Sequence, residues 1–572
     1  GRVECLKFAF AFLVALWVGS AFSLFAEHPV LHRTRFSLST LPLILLVGLL
    51  ALPVLALLAS WLPWGVVQAD TGAILREMAS TVLPGYVWTT LWLGLWVAVG
   101  AAVVGTATAA AVTLFEFPGR RVFEWLLLLP LAMPAYVTAY AYTDFLQFSG
   151  PLQVGLRETF GLEGRLLPEV RSLWGAIWVF TFSLYPYVYL LARTALGERA
   201  AHLMEAARLL GAPLSRRITS IALPLARPAV AAGVALALME TLADFGVTSY
   251  FGIQTFTTGI IKAWLSMDNR IAAAQLSTML LALVLVLLWL EHRAERRMRF
   301  TAKGTGHAGA TEAQPVPLRG LARAAVWGVC TLPVFMGFVA PVAFMLRPLA
   351  SDWSVLPWSR FLEWAWNSVR LGGITAGLAV AVALALAFAV RRRPDLLTRG
   401  VVRLASVGYA VPGAVIVVGL LLPVGWVQAH FPQWGVGALV TTTAVGIVWA
   451  YLVRFCAVAL QSVQSGYARI PASLDDSARM LGAGSARLMA NVHWPLLRRS
   501  TAAAALLVFV DVMKELPATM VLRPFNSDTL AVVAYQLARD ERLGEAALPS
   551  LALVAVGLVP VILLSRTLRG RA

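Results

Sequence analysis

Residues Glu205 to Pro224 read "EAARLLGAPLSRRITSIALP", a polar and arginine-bearing stretch in a chain that is otherwise mostly apolar. The letters EAARLL favour a short helix with an acid in its first turn, where the helix dipole stabilises negative charge. Gly211 supplies a C-terminal stop, and Pro224 resets the chain direction before the next apolar run. The stretch therefore predicts a short helix, a turn and a second amphipathic piece that lie across a membrane surface.

The composition is that of a polytopic membrane protein. Of 572 residues, 59% are hydrophobic and 13% are charged, and the mean hydropathy is +0.77. Apolar runs of about 18 residues or more recur, each long enough as a helix to cross about 30 Å of hydrocarbon. They predict an all-α fold with twelve transmembrane helices, centred near Leu49, Val99, Leu131, Phe182, Ala235, Leu283, Val334, Val380, Val415, Val445, Leu507 and Val556.

The N-terminal residues 1–36 are set apart as an extension. Their apolar stretch from Leu6 to Phe25 is compatible with a thirteenth span, with a signal-like segment or with an over-extended start. These three interpretations stay open at this point.

An internal repeat divides the remaining chain. A shift of 271 positions pairs Glu205 with Asp476, Ala206 with Ser477, Ala207 with Ala478, Gly211 with Gly482, and Pro224 with Pro495. We therefore predict two tandem six-helix halves, residues 37–300 and 319–572, joined by a cytoplasmic linker over residues 301–318. The repeated loops occupy residues 198–228 and 469–499. Because six is even, both halves enter the membrane the same way, and a pseudo-two-fold axis along the membrane normal is expected.

The positive charge follows membrane topology. The formal net charge is +17, which in a soluble protein would suggest nucleic acid. Here the basic clusters, such as Arg293 to Phe300 and Arg566 to Arg571, fall in loops on the side predicted to be cytoplasmic. The positive-inside rule explains this excess, so we expect a lipid bilayer and no nucleic acid as the chain's surroundings.

The sequence carries no recognisable enzyme. A phosphate-binding loop ends in Lys-Ser or Lys-Thr, and none of the lysines, Lys7, Lys262, Lys303 and Lys514, precedes a hydroxyl residue. Other catalytic motifs are also lacking. We therefore expect a transport subunit without its own ATPase site and without a permanently bound cofactor, whose energy comes from a partner.

The opening stretch resembles the cytoplasmic EAA loop of ABC importer permeases at its defining positions, E-A-A-x3-G-x9-I-x-L-P. The second copy keeps this spacing, but its residues match the motif less closely. The chain is most similar to the iron(III) permeases, in which two permease halves are fused, through segments such as "YPYVYLLAR" (Tyr185 to Arg193) and "DVMKELPATMVLRPFNSDTLA" (Asp511 to Ala531). The resemblance assigns ATPase coupling to Glu205, Ala206, Ala207, Gly211, Pro224, Asp476, Ser477, Ala478, Gly482 and Pro495.

The resemblance implies a multi-pass protein of the bacterial inner membrane that takes up iron(III) by alternating access. A periplasmic iron-binding protein would deliver the ion, and two copies of a cytoplasmic ATPase would use ATP and magnesium. Two alternatives stay open. The same machine could carry thiamine or phosphonate, or the two six-helix halves could form a proton-coupled secondary transporter.

Four acids lie within apolar spans, where each charge costs on the order of 2.5 to 3.5 kcal/mol. Repeat symmetry pairs Glu240 with Asp511 and Asp244 with Glu515. They are candidates for the translocation path and for transient iron contact, because hard cations favour oxygen ligands. Tyr140, Tyr142 and Asp144 are additional candidate contacts. The alternative, that the acids cap broken helices or meet the binding protein, stays open.

A second repeated pattern precedes the last span of each half. Asp268 and Arg270 recur as Asp540 and Arg542 in loops predicted to be periplasmic. They are candidates for docking the binding protein, and a local salt bridge explains them equally well.

Overall fold

The computed structural model describes residues 41–61, 71–197, 201–302, 315–351, 353–354, 356–392 and 395–569. The N-terminal extension and most of the predicted linker lie outside these ranges. Within them every regular element is a helix, apart from one parallel pair of two-residue strands, β1 (Phe115–Glu116) and β2 (Val316–Pro317). A helical fold is expected because a bilayer offers the backbone no hydrogen-bond partners.

The first half contains, in chain order, α1 (Leu41–Ala59), α2 (Thr71–Ser80), α3 (Leu83–Leu114), α4 (Arg120–Leu126), a 3-10 turn (Leu129–Ala132), α5 (Ala135–Leu146), α6 (Pro151–Phe160), α7 (Leu173–Ala195), α8 (Ala201–Leu209), α9 (Leu214–Arg217), a π turn (Ile218–Ala222), α10 (Leu223–Ala243), α11 (Gly246–Tyr250), α12 (Phe256–Ile261), a π turn (Lys262–Ser266) and α13 (Arg270–Ala302).

The second half contains α14 (Leu321–Val334), a π turn (Phe335–Val339), α15 (Ala340–Ser351), α16 (Trp358–Arg392), α17 (Leu396–Ser406), a 3-10 turn (Val407–Ala410), α18 (Gly413–His430), a 3-10 turn (Pro432–Trp434), α19 (Val436–Thr442), α20 (Ala444–Tyr467), α21 (Ala472–Met480), α22 (Ser485–Arg487), a π turn (Leu488–His493), α23 (Trp494–Lys514), α24 (Pro517–Leu522), α25 (Leu530–Arg539) and α26 (Leu543–Arg569).

All twelve predicted span centres lie in helical segments. In the described ranges, 10 helices are long and apolar enough to cross a membrane, or 11 if a pair bent by 88° forms one span. That pair, Arg120–Ala132 and Ala135–Phe160, covers the centre predicted near Leu131. The centre near Leu507 falls in α23, which carries four charged residues and is therefore more polar than a typical span: Arg498, Arg499, Asp511 and Lys514.

The chain packs into two compact units that do not follow the sequence halves. Of the described residues, one unit combines those within 41–83 and 259–285 with those within 360–532, and the other combines those within 84–258 with those within 286–359 and 533–569. Each unit thus contains helices from both halves. The bounds predicted from the repeat describe sequence similarity and stay a prediction, since packing groups the helices differently.

Glycines permit the contacts that join the halves inside each unit. In the first unit α1 packs on α18, and a Cβ added at Gly419 would collide with the carbonyl of Pro53. In the second unit Gly337 lies against the carbonyl of Phe182 in the same way. Because backbone cannot yield as a flexible side chain does, these positions exclude larger residues.

The fifth span of each half is broken and restarts at a short helix that an acid caps. Asp244 Oδ1 accepts hydrogen bonds from the backbone N–H groups of Val247 (2.9 Å) and Thr248 (3.4 Å) at the start of α11. In the second half, Glu515 plays the same part at α24. Its Oε1 accepts from Ala518 N (3.1 Å) and its Oε2 from Thr519 N (3.0 Å). The acids satisfy amide donors that the break exposes.

Glu515 also pairs with a buried arginine. Arg454 on α20 lies 3.2 Å from Glu515 Oε1, and the two side chains are only 15% and 1% exposed. Removing one member of such a pair leaves the other charge buried without compensation.

We predict that Gly419→Val lowers the thermal stability of the purified protein in detergent, because the added side chain pushes α1 away from α18. The expected loss is about 1 to 3 kcal/mol. Gly373→Val on α16 is the matched control, since a Cβ there has nothing within 4 Å. Equal melting temperatures for the two variants would contradict the proposed close approach.

We further predict that Glu515→Ala destabilises the protein by about 3 to 5 kcal/mol, because Arg454 is then buried opposite no charge. The double variant Glu515→Ala/Arg454→Ala, which removes both charges, should lose less than the sum of the single variants Glu515→Ala and Arg454→Ala. Thermal unfolding of the four proteins measures this coupling. Strictly additive losses would show that the pair does not act as a unit.

Candidate functional site

The stretch that opens the first loop forms the predicted helix and glycine stop, but the helix begins at Ala201, so Glu205 is its fifth residue and the predicted place in the first turn is wrong. Helix α8 carries Glu205 and ends at a left-handed Gly211, whose φ is 78°. The backbone N–H of Gly211 donates to Arg208 O (2.9 Å), and that of Ala212 donates to Ala207 O (3.0 Å). This double hydrogen bond is the Schellman closure, and it requires a residue that tolerates positive φ. Helix α10 then begins with Pro224 in its first turn.

The second loop repeats this backbone residue for residue. Helix α21 carries Asp476 and ends at Gly482, whose φ is 79°. The N–H of Gly482 donates to Arg479 O (2.9 Å), and that of Ala483 donates to Ala478 O (3.0 Å). A π turn follows in both copies, and a proline starts the next span. The residues by which the second copy departs from the motif therefore leave the loop geometry unchanged.

The acid of each loop lies at the surface. Glu205 is 3.6 Å from Arg208, and Asp476 is 3.5 Å from Arg479, in both cases three residues along the same helix. Exposed pairs of this kind contribute about 0.3 to 0.5 kcal/mol, so either acid can exchange its arginine for another partner at little cost.

The end of each loop helix exposes two apolar side chains. Leu209 and Leu210 are 82% and 87% exposed, and their repeat mates Met480 and Leu481 are both 88% exposed. These four side chains lie at the ends of short polar helices, outside the candidate spans. Exposed apolar groups rimmed by polar residues are typical of a protein-binding surface. We call each pair a loop tip.

The residues that follow each loop acid have matching exposure in the two copies. Ala206 is exposed and Ala207 is partly buried, and the same holds for Ser477 and Ala478. The Ser477 hydroxyl donates to Ser473 O (2.8 Å) within the helix.

The acids predicted for the translocation path have structural partners. Asp244 and Glu515 cap the short helices described above, which is the alternative that the sequence left open for them. Glu240 and Asp511 are half-buried near the ends of α10 and α23. Among the described residues, no three His, Cys, Asp or Glu side chains gather as a metal site.

Helix α5 separates the three contacts predicted on it. Tyr140 and Asp144, four residues apart, line one small cavity together with Ser550. The Tyr140 hydroxyl is buried and has no hydrogen-bond partner within the described chain. Tyr142 faces elsewhere, and its hydroxyl donates to the carbonyl of Met336 (2.7 Å). Asp144 lies 3.4 Å from Arg347.

The candidate docking residues are exposed, but one of them is engaged locally. The guanidinium of Arg542 donates to both carboxylate oxygens of Glu545 at 2.7 and 2.6 Å. Arg270 lies 5.9 Å from the ring of Trp264. A local salt bridge therefore accounts for Arg542, with Glu545 rather than Asp540 as its hydrogen-bonded partner.

The neighbouring acid Glu541 forms an ion pair that the sequence does not predict. Arg171, which precedes α7, donates to Glu541 at 2.6 and 2.9 Å and to the Tyr250 hydroxyl at 3.2 Å. The hydrogen bonds from Arg171 hold the pKa of the Glu541 carboxyl below its usual value. Because 370 residues separate the partners, no local pattern in the sequence could have revealed this contact.

Comparisons with known proteins agree with this arrangement. Residues 101–300 match the family model described as the binding-protein-dependent transport system inner membrane component. The Fe(3+)-transport system permease protein FbpB 2 of Haemophilus influenzae is 27% identical over 484 residues, covering 83% of this chain and 88% of that protein. A probable ABC transporter permease protein, y4fN of Sinorhizobium fredii, is 25% identical, covering 84% and 87%.

A shorter relative matches less than half of the chain. The putative 2-aminoethylphosphonate transport system permease protein PhnU of Salmonella choleraesuis is 25% identical over 232 residues, covering 41% of this chain and 81% of that protein. The repeated loops, the apolar helices and these similarities agree: the chain is a multi-pass membrane protein that resembles the inner membrane components of binding-protein-dependent transport systems, the ABC transporter permeases.

Proposed function

We propose that this permease carries iron(III), which a periplasmic binding protein delivers, and that two copies of a separate ATPase drive it through the two loops. The observation that carries the coupling role is the residue-for-residue repetition of an exposed acid, an exposed apolar tip and a left-handed glycine stop. A soluble surface loop needs none of these at fixed spacing. Two copies in one chain match two ATPase subunits.

Each loop is suited to transmit movement. After the glycine stop of each loop helix, a short helix and a π turn run without a break into the next span, so only the turn at the stop separates the tip from the membrane segment. The two backbone hydrogen bonds of the Schellman closure join residues that are only a few positions apart, and they hold the end of the loop helix in a fixed conformation. Closing of the ATPase subunits would thereby shift the spans between inward-open and outward-open states, which is alternating access.

Iron(III) is the favoured cargo because the relative named for Fe(3+) transport aligns with 83% of the chain, whereas the phosphonate relative aligns with 41%. For the path we retain Glu240, Asp244, Asp511 and Glu515, with Tyr140 and Asp144 on the shared cavity. Their oxygen atoms suit a hard cation. ATP and magnesium would bind to the partner subunits.

We predict that Leu209→Asp and Met480→Asp each weaken ATPase binding about 10- to 100-fold, because a buried apolar anchor contributes about 1.5 to 3 kcal/mol. Leu321→Asp is the matched control, since Leu321 is 89% exposed near the linker but belongs to neither loop. Binding of the purified ATPase to permease in nanodiscs measures the effect. Unchanged binding in both tip variants would contradict the docking role.

The cargo requires its own experiment. Proteoliposomes that contain the permease, its ATPase and its binding protein should accumulate radiolabelled iron(III) only when ATP is present. Uptake of thiamine or 2-aminoethylphosphonate without iron uptake would overturn the cargo assignment and leave the coupling role intact. Iron uptake driven by a pH gradient with no ATPase present would favour a proton-coupled secondary transporter instead.

A further inference from the structure

The second loop helix contributes one residue to a buried charged cluster. Asp475, the residue before the exposed acid Asp476, is 4% exposed, and His493 at the end of the π turn is fully buried. Asp475 Oδ1 lies 3.0 Å from His493 Nε2, and its Oδ2 accepts from Arg391 Nε at 2.8 Å. The hydroxyl of Tyr467 lies 3.2 Å from His493 Nδ1. We call these four residues the anchor cluster.

The hydrogen bonds of the anchor cluster are mutually consistent. An ionised carboxylate only accepts, so His493 Nε2–H donates to Asp475. A neutral imidazole then has Nδ1 free to accept from the Tyr467 hydroxyl. The negative charge of Asp475 balances the positive charge of Arg391, which binds both carboxylate oxygens, the second at 3.3 Å from Nη2.

The carboxylate form of Asp475 is favoured at neutral pH. Burial by itself raises the pKa of Asp475, but the hydrogen bonds and charges of Arg391 and His493 outweigh burial and hold that pKa below its usual value.

The first loop has an apolar anchor at the matched positions. The shift of 271 places Met204 opposite Asp475, Ala222 opposite His493, and Leu196 opposite Tyr467. All three are buried in one apolar cluster. The fourth member, Arg391, lies in the second span of its half, where the two halves align with a shift of 278 positions. This shift pairs Trp88 with Trp366 and Gly94 with Gly372. It places Thr113 opposite Arg391. None of the four positions carries a charge in the first half.

The two kinds of anchor constrain a helix differently. Apolar packing is non-directional, so a helix held by it can slide or tilt by small amounts without losing a defined contact. A bidentate ion pair with a second hydrogen bond fixes both distance and direction. The anchor cluster also ties α21 to three other segments of the second half: the end of α16, the end of α20 and the π turn.

We propose that Arg391, Tyr467, Asp475 and His493 are positioning residues that hold the second loop helix in one orientation, so that the two loops couple unequally. The first loop adapts through apolar packing, and the second presents its tip in a fixed direction. The inference about coupling rests on the proposed ATPase contact of both loops. The difference in anchoring does not, and it can be measured in the permease alone.

The first experiment uses spin labels on the permease without a partner. Cys330 and Cys456 are buried, and they and Cys5 are replaced by alanine before Leu209→Cys or Met480→Cys is introduced as the label site. Adding Asp475→Asn should shorten the rotational correlation time of the label at 480 about twofold, because a directional hold is lost. The label at 209 should not respond. An equal response at both sites would indicate general unfolding and overturn the proposal, as would no response at 480.

A rescue variant separates positioning from mere packing. Exchanging all four positions for their first-loop counterparts, Arg391→Thr, Tyr467→Leu, Asp475→Met and His493→Ala, removes every buried charge. This variant should fold, and its label at 480 should move as freely as the label at 209. A label at 480 that stays as immobile as in the native chain would show that the anchor cluster does not set the orientation.

The second experiment tests coupling by cross-linking each tip cysteine to a cysteine on the ATPase. In the Asp475→Asn chain the yield at 480 should fall about fivefold and the yield at 209 should hold, since only one loop loses its hydrogen-bonded anchor. If the native chain cross-links at neither tip, the proposed function fails while the spin-label result stands. If the native chain cross-links at both and Asp475→Asn changes neither yield, the unequal coupling fails while the proposed function stands.

Discussion

A polar group that leaves water costs free energy unless it finds a partner inside the protein, and this cost shapes the described structure. Helices dominate because they satisfy their own backbone. Where a span breaks, Asp244 or Glu515 accepts the amide hydrogen bonds that the break exposes. Where a buried charge is needed, as at Asp475 and Glu515, an arginine lies against it. The acids are thus fixed by hydrogen bonding before any role in transport is considered.

The loops obey the same rule at the membrane surface. A helix of nine residues leaves its last carbonyls without partners, and the left-handed glycine closes them with two backbone hydrogen bonds. With the backbone satisfied, the side chains of the tip are available for a partner. The apolar tips are exposed in both copies because the loop has no need of them for its own folding.

Local sequence predicted what depends on neighbouring residues. The glycine stops, the loop helices and the span centres follow from patterns within about 20 residues, and the repeat shift carried them from one half to the other. The grouping of α1 with α18 could not be predicted, because it depends on surfaces far apart in the sequence. The same holds for the pair Arg171 and Glu541. Asp475 lies beside a predicted site residue, yet its burial depends on Arg391, which is 84 positions away. Tyr140 and Tyr142 are two residues apart on α5, and residues at that spacing lie on opposite faces of a helix. Grouping them as oxygen ligands by residue type alone overlooks this geometry.

The proposed coupling requires that one chain carries two ATPase contacts. Native mass spectrometry of the permease, assembled with an excess of its ATPase in detergent, measures this stoichiometry. We predict one permease with two ATPase subunits, falling to one when the tip of a single loop is made acidic. A complex that holds one ATPase in the native chain, or that keeps two after both tips are made acidic, would contradict it.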